Sequence, residues 1–270
     1  MREQAHPNGL RTHHFDLDGD DVLAALTTRL GGRSDGPYAG CNLAFHVGDD
    51  DASVVANRAL VCEALDVEHL TIADQQHDRR VAAIDHGLAG AGHGSLADAV
   101  ARLPATDALV TDVPGVALAI LVADCAPVVL HDPVRRAVGV AHAGRRGAVL
   151  DVVGATVATM AQRYGTDASD LRAGIGPCIA APSYKLGGRE LDEARDAFGD
   201  GPGLLRPTTD GHATFDLPGA VRRLLRDAGV GEDRIEDAAV DTRTSTGTWF
   251  SHRAQRPCGR FALVAALRDR

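Results

Sequence analysis

The apolar residues of this chain fall mainly into short unbroken runs, and these predict strands. Val116 to Val122 is the most apolar, nearly all aliphatic, and reads as a buried strand. Around it Ala108–Thr111, Val128–His131 and Val138–Ala141 follow in quick succession, broken at Pro114-Gly115 and Asp132-Pro133 by turn residues. Connections this short predict antiparallel neighbours or a meander. Further strands are read at Val22–Thr28, Leu70–Ala73, Arg80–Ile84, Leu171–Ile175 and Phe261–Leu267. Helical spacing replaces these runs over Ala52–Leu65, where Val54, Val55, Leu60, Val61 and Leu65 recur behind an acidic start at Asp49-Asp50-Asp51. Gly147–Tyr164 is the clearest amphipathic helix, with Val149, Leu150, Val153, Val157 and Met160 on one side. Glu190–Ala197 and Pro218–Ala228 are also helical, with Asp216 placed to cap the second. Residues 1–12 read as a flexible tail, and residues 85–104 as a loop in which His86 and His93 face solvent. No repeat or low-complexity linker interrupts residues 13–270, which are expected to form one α+β (mixed α/β) domain.

Composition narrows the classes. With 270 residues, 44% of them hydrophobic and only 4% aromatic, the chain can bury a sizeable aliphatic core. A formal charge of −9 and the lack of a Lys/Arg stripe argue against a general nucleic-acid binder. The five cysteines at 41, 62, 125, 178 and 258 are odd in number and include no CxxC pair, so they form no disulfide framework. The first residues carry no apolar targeting segment. The longest apolar run is far short of the roughly 20 residues that cross a bilayer. A soluble cytoplasmic protein without membrane partners is expected.

Chemistry concentrates where the apolar runs end. An Asp and a Cys at Ala123-Asp124-Cys125-Ala126-Pro127 lie between two core strands, a costly position unless something uses them. The Val138–Ala141 run ends in His142-Ala143-Gly144-Arg145-Arg146-Gly147, and Gln75-Gln76-His77 precedes both. Two His and one Cys are a catalytic rather than a structural zinc set, because three protein ligands leave a fourth position for water or substrate. His77, Cys125 and His142 are therefore candidate ligands of zinc, with copper possible. Asp124 is the candidate to orient a ligand, polarise the substrate or protonate a leaving group. Cys125 as a nucleophile activated by His142 is the alternative. Arg146 beside a helix start, and Arg29 in the Gly-rich loop 29–36, are candidate anion contacts.

Together these segments resemble the YfiH-like laccase-domain family, first described as multicopper polyphenol oxidases and later as purine nucleoside phosphorylases. The matching residues run in family order through nearly the whole chain. They are Thr28-Arg29 with Gly31-Gly32-Ser34 and Gly36, Asn42-Leu43, Val47-Gly48-Asp49-Asp50, Gln75 with His77, Asp107-Ala108-Leu109-Val110-Thr111, Ala123-Asp124-Cys125 with Pro127, His142-Ala143-Gly144 with Arg146-Gly147, Gly176-Pro177-Cys178-Ile179, Phe250-Ser251 with Arg253, and Gly259-Arg260. The resemblance implies layered mixed or antiparallel sheets flanked by helices, and a metal, usually zinc, held by His77, Cys125 and His142. It implies phosphorolysis of adenosine, inosine and methylthioadenosine, with adenosine deaminase activity. Arg29, Asn42 and Arg146 become candidates for substrate or phosphate contact, in a monomer or homodimer. The pocket wall departs from the family pattern at Gln76, Asp78, Arg145, Lys185 and His252. A copper phenol oxidase and a non-catalytic, cell-envelope accessory metal protein are the competing classes.

Overall fold

The central strands read as unbroken apolar runs because they are buried on both faces. A computed structural model describes residues 1–199 and 203–269; positions 200–202 and 270 of the expected domain lie outside the described residues. One six-stranded sheet is ordered β1 (Arg2–Ala5), β2 (Arg11–His14), β3 (Val22–Thr27), β15 (Phe261–Leu267), β7 (Ala117–Val122), β4 (Leu70–Ile72). The second is ordered β14 (Ile235–Asp237), β10 (Arg172–Ile175), β8 (Ala126–Asp132), β9 (Ala137–Ala143), β6 (Ala108–Thr111), β5 (Val81–Ala83). Pairing is antiparallel except for β4 with β7, β5 with β6 and β10 with β14. The two sheets face each other: Phe261, Leu263 and Ala265 of β15 pack with Val129 of β8 and Val138 and Val140 of β9. The alternate β15 residues, Ala262, Val264 and Ala266, turn to α1 (Asp51–Leu65). On the far side, Val128 and Leu130 meet α4 (Val152–Tyr164) and α6 (Leu217–Asp227). A small sheet of β11 (Lys185–Leu186), β13 (Ala213–Phe215) and β12 (Leu205–Pro207) flanks the second face beside α5 (Gly188–Phe198). The result is an α+β sandwich of layered, mixed sheets between helices. Among the described residues no helix is long and apolar enough to cross a membrane.

Several elements differ from the sequence expectations. Residues 1–12 are not a tail. Arg2–Ala5 pairs with Arg11–His14, and β2 in turn pairs with β3, so the segment extends the first sheet. Within 85–104 the chain forms α2 (Leu96–Arg102), started by Ser95, whose side chain accepts from the Asp98 N–H. His86 is exposed there, but His93 is half-buried and accepts the Leu70 N–H at 3.2 Å. The amphipathic stretch 147–164 is broken. A short helix α3 (Arg145–Val149) stops before Asp151, whose φ of 58° is left-handed and whose carboxylate caps α4 through the Gly154 N–H. The meander is only partial: β8, β9 and β6 are antiparallel neighbours, but β7 belongs to the other sheet. The chain between β7 and β8 is Ala123-Asp124-Cys125, so the stretch singled out in the sequence is the crossing from one sheet to the other.

Candidate metal centre

The sheet crossing decides where Cys125 stands. Register pairs Ala126 with Ala143 and Pro127 with His142, so the start of β8 lies against the end of β9. Cys125 Sγ is 3.7 Å from His77 Nε2, and the ligand atoms of His77, Cys125 and His142 all lie within 4.8 Å of one another. Tetrahedral zinc, with Zn–S of about 2.3 Å and Zn–N of about 2.0–2.1 Å, places S and N about 3.6 Å apart. The donor set and its spacing therefore fit such an ion. Gly144 makes the approach possible: a Cβ on it would meet Cys125 Sγ at 2.7 Å and His77 Cδ2 at 3.0 Å.

One residue that the sequence reading did not assign to the site organises both histidines. Asp107 is fully buried at the start of β6. Its carboxylate accepts the backbone N–H groups of Gln76, His77 and Asp78 at 3.0, 2.9 and 2.8 Å. It also bonds His142 Nδ1 at 2.8 Å. The loop that carries His77 is thus wrapped around the group that orients His142, and His77 itself adopts a left-handed φ of 58°. Holding a proton on Nδ1 leaves Nε2 as the ligating nitrogen. Gln75 fixes the other end of that loop by exchanging two hydrogen bonds with the Leu121 backbone of β7, at 2.9 and 2.8 Å. The signal for Asp107 was in the sequence: like Asp124, it is an acid abutting a run of core residues.

Asp124 does something different. In a left-handed conformation with φ 84°, it accepts from Thr242 Oγ1 and from the Arg253 N–H, both at 2.6 Å. It anchors the 242–253 segment beside Cys125, and the carboxylate contact to a ligand histidine belongs to Asp107. Arg29 and Asn42, expected at the substrate, do not line the cavity beside the triad. The Arg29 guanidinium reaches the carbonyls of Thr246 and Ala39 and lies over the Phe250 ring at 4.7 Å. Asn42 is fully buried, with its amide donating to Ala44 O and Asp49 and its oxygen accepting from the Ala44 and Arg260 N–H groups. The Gly-rich loop closes on itself through the Ser34–Gly40 pairing and the Cys41 N–H to Arg29 O bond, and the Arg33 N–H is taken by Asn57 Oδ1 at 2.6 Å.

Arg146 does line the cavity, and so does Arg145, whose charge is taken up by Glu193 at 2.6 Å and Glu190 at 3.7 Å. The cavity measures about 530 Å³, within the usual range for small-molecule sites. Leu121, Ile179, Leu217 and Tyr184 give it an apolar wall, while Arg253, Arg256, Arg260 and His46 complete the polar part. The three arginines sit in a loop and His46 in a single 3-10 turn, and none was marked as a site residue by an apolar run.

Charge coupling within the triad is strong. Burial pushes the Cys125 thiol up, but the adjoining His142 charge and hydrogen bonds from both histidines outweigh it and hold the thiol at about 6. Burial pushes His142 down, but the Cys125 thiolate and Asp107 raise it to about 9. Burial likewise opposes ionisation of Asp107, yet the His142 ring and backbone donors keep it below its usual range. Without an ion, Cys125 and His142 thus form a thiolate–imidazolium pair.

A three-ligand His-Cys-His group held by a buried carboxylate and open to one cavity defines a metal-associated site on a layered α+β scaffold. The chain belongs to the family described as multi-copper polyphenol oxidoreductase laccase, which matches residues 23–268. It is 33% identical over 252 residues to a purine nucleoside phosphorylase, YlmD, of Bacillus subtilis, covering 92% of this chain and 90% of that protein. It is 39% identical over 240 residues to a purine nucleoside phosphorylase, ORF3, of Streptomyces griseus, covering 88% and 91%. The fold is similar to the crystal structure of YlmD from Geobacillus stearothermophilus, with TM-score 0.91 and 32% identity over 99% of each chain. A hypothetical protein, YfiH, of Bacillus licheniformis is similar at TM-score 0.89 and 31% identity, over 98% of this chain and 99% of that one.

Proposed function

We propose that this protein is a zinc-dependent purine nucleoside phosphorylase acting on adenosine, inosine and methylthioadenosine, with adenosine deamination as a second activity. The observation that carries the reading is the His77–Cys125–His142 group opening onto a cavity with an apolar wall and an arginine rim. Zinc held by those three side chains would supply Lewis-acid polarisation. The remaining work falls to the chain. Asp107 fixes the His142 ring and the His77 loop. Leu121, Ile179, Leu217 and Tyr184 offer apolar surface against which a purine can pack. Arg146 on the rim holds inorganic phosphate by charge-assisted hydrogen bonds. In phosphorolysis a phosphate oxygen bonds to the anomeric carbon as the bond to the purine nitrogen breaks, giving free base and ribose 1-phosphate or its methylthio analogue. Orientation of phosphate and nucleoside is the chain's main contribution to rate. The reading places the protein in the cytoplasm, where both substrates occur.

A multi-copper oxidase needs further copper ligands. Among the described residues His77, Cys125 and His142 form the one three-residue His/Cys/Asp/Glu group able to hold an ion, so the single-metal reading is preferred. The test is elemental analysis together with release of hypoxanthine from inosine, with and without phosphate, on the natural chain and on Cys125→Ala. About one zinc per chain and phosphate-dependent turnover, lost in a folded Cys125→Ala, are expected. Wild-type turnover in that variant would remove Cys125 from the mechanism. Copper with dye oxidation would favour an oxidase, and a metal without turnover a non-catalytic role.

A further inference from the structure

The cavity carries more positive charge than a neutral nucleoside and one phosphate require. Five arginines line it against two carboxylates, Asp124 and Glu190. Glu190 and Glu193 are taken up by Arg145, and Asp124 by Thr242 and the Arg253 N–H. Arg146, Arg253, Arg256 and Arg260 find only carbonyl, sulfur or ring partners among the described residues. Arg146 reaches Gln76 O at 3.4 Å, Arg253 reaches Lys185 O at 3.3 Å and lies over the Tyr184 ring, and Arg256 reaches His252 O at 3.2 Å. Arg260 Nη1 donates to Cys258 O at 2.9 Å and Gly259 O at 3.0 Å.

Three of these four belong to one short arm, residues 252–260, and the arm is fixed at both ends. The Arg253 N–H is held by buried Asp124, and the Arg260 N–H by fully buried Asn42 at 2.8 Å. Each guanidinium has five N–H donors and spends only some on these carbonyl partners. The others remain for an anion that the loop itself does not contain. Near neutral pH inorganic phosphate carries at most two negative charges, and a nucleoside carries none, so part of this rim is left uncompensated.

We propose that the 252–260 arm is a second anion subsite, and that the cavity binds purine nucleosides bearing their own 5′-phosphate, with inorganic phosphate held separately at Arg146. The proposal rests on the nucleoside reading above. The test is calorimetric titration of the purified full-length protein with inosine and with inosine 5′-monophosphate at constant ionic strength, first without and then with a saturating excess of inorganic phosphate. The monophosphate is expected to bind roughly 10- to 100-fold more tightly, the worth of one or two charge-assisted hydrogen bonds, and to keep that advantage in phosphate. In Arg256→Ala and in Arg256→Glu the affinity ratio is expected to fall toward one, and Arg256→Lys to recover part of it. Arg256 is exposed, so these variants leave the core intact. Equal affinities, a ratio indifferent to Arg256, or an advantage erased by free phosphate would each overturn the proposal. Inosine cleavage without nucleotide preference sinks this proposal alone; nucleotide preference without inosine cleavage sinks the phosphorylase reading alone.

Discussion

Replacing Asp107 by Asn keeps the size of the side chain and removes what four donors converge on. The carboxylate accepts from Gln76, His77 and Asp78 N–H and from His142 Nδ1, all within 3.0 Å. An amide has one oxygen. With that oxygen kept on the side that serves His77 and His142, the NH2 group faces the N–H groups of Gln76 and Asp78, donor against donor. Each donor left without an acceptor costs about 1–3 kcal/mol, so the variant, with two such donors, is expected to lose about 2–6 kcal/mol of stability. That is a large fraction of a typical total of about 5–15 kcal/mol. The same change relaxes both histidines, one through its ring and one through its backbone. Loss of a carboxylate behind a ligating histidine typically lowers metal affinity by about 10–100-fold. The assays are urea unfolding of the metal-free protein and zinc affinity by competition with a chelator, at the same pH. A variant whose zinc affinity stays within about threefold, with an unchanged unfolding midpoint, would refute the claim that Asp107 organises the site.

Asp124→Asn separates the two acids: its partners are Thr242 and the Arg253 N–H, so zinc affinity by the same competition should change less than about threefold while proteolysis within 242–253 accelerates. Gly144→Ala places a methyl 2.7 Å from Cys125 Sγ, and zinc affinity is expected to drop at least tenfold with little change in far-UV circular dichroism; unaltered affinity would mean that the loop yields freely. In the metal-free protein the Cys125 thiol is held at about 6, so its thiolate is present above that pH and lost as pH falls through it. Iodoacetamide labelling of Cys125, the one cysteine that is not fully buried, should therefore rise with a midpoint near pH 6, and a midpoint near that of an ordinary thiol, about 8.5, would contradict the pairing with His142. Arg29→Ala should leave the phosphate KM of inosine cleavage within about twofold, since its guanidinium is committed to Thr246 O and Ala39 O.

The central strands were legible because they are buried on both faces, and an unbroken aliphatic run has few other solutions. β3, β6, β7 and β15 fall within a residue or so of the expected bounds. The N-terminal hairpin was not legible: β1 is exposed throughout and β2 is rich in polar side chains, so neither carries an apolar signal. The break between α3 and α4 was hidden for another reason. Asp151 caps α4 from a left-handed conformation, which leaves no Pro or Gly at that position to announce it. The distribution of β7 and β8 between two sheets could not be read from short connections, because a three-residue link can cross between stacked sheets as well as turn within one.

The same limit explains which site residues the sequence revealed. Cys125 and His142 stood out because each is a ligand type following a strand-like run, where a sheet holds side chains rigidly, and His77 because the Gln75-Gln76-His77 segment places a third ligand type ahead of them. Of the two acids that also abut core strands, the sequence marks both equally, and only the stacking of the sheets tells them apart. β6 pairs with β9, which sets Asp107 beside His142. Asp124 lies in the crossing itself, and its carboxylate turns to the 242–253 segment that closes over the crossing. Arg29 and Asn42 mislead in the opposite sense. A buried Asn whose side chain makes four hydrogen bonds, to three residues, is as strongly constrained by the fold as a substrate contact is by chemistry. A pattern of residue types thus records constraint, whereas the fold sorts it: Cys125 into the His77–Cys125–His142 group, Asp107 into the orientation of its histidines, and Asn42 onto the backbone of Arg260, one step removed from the cavity.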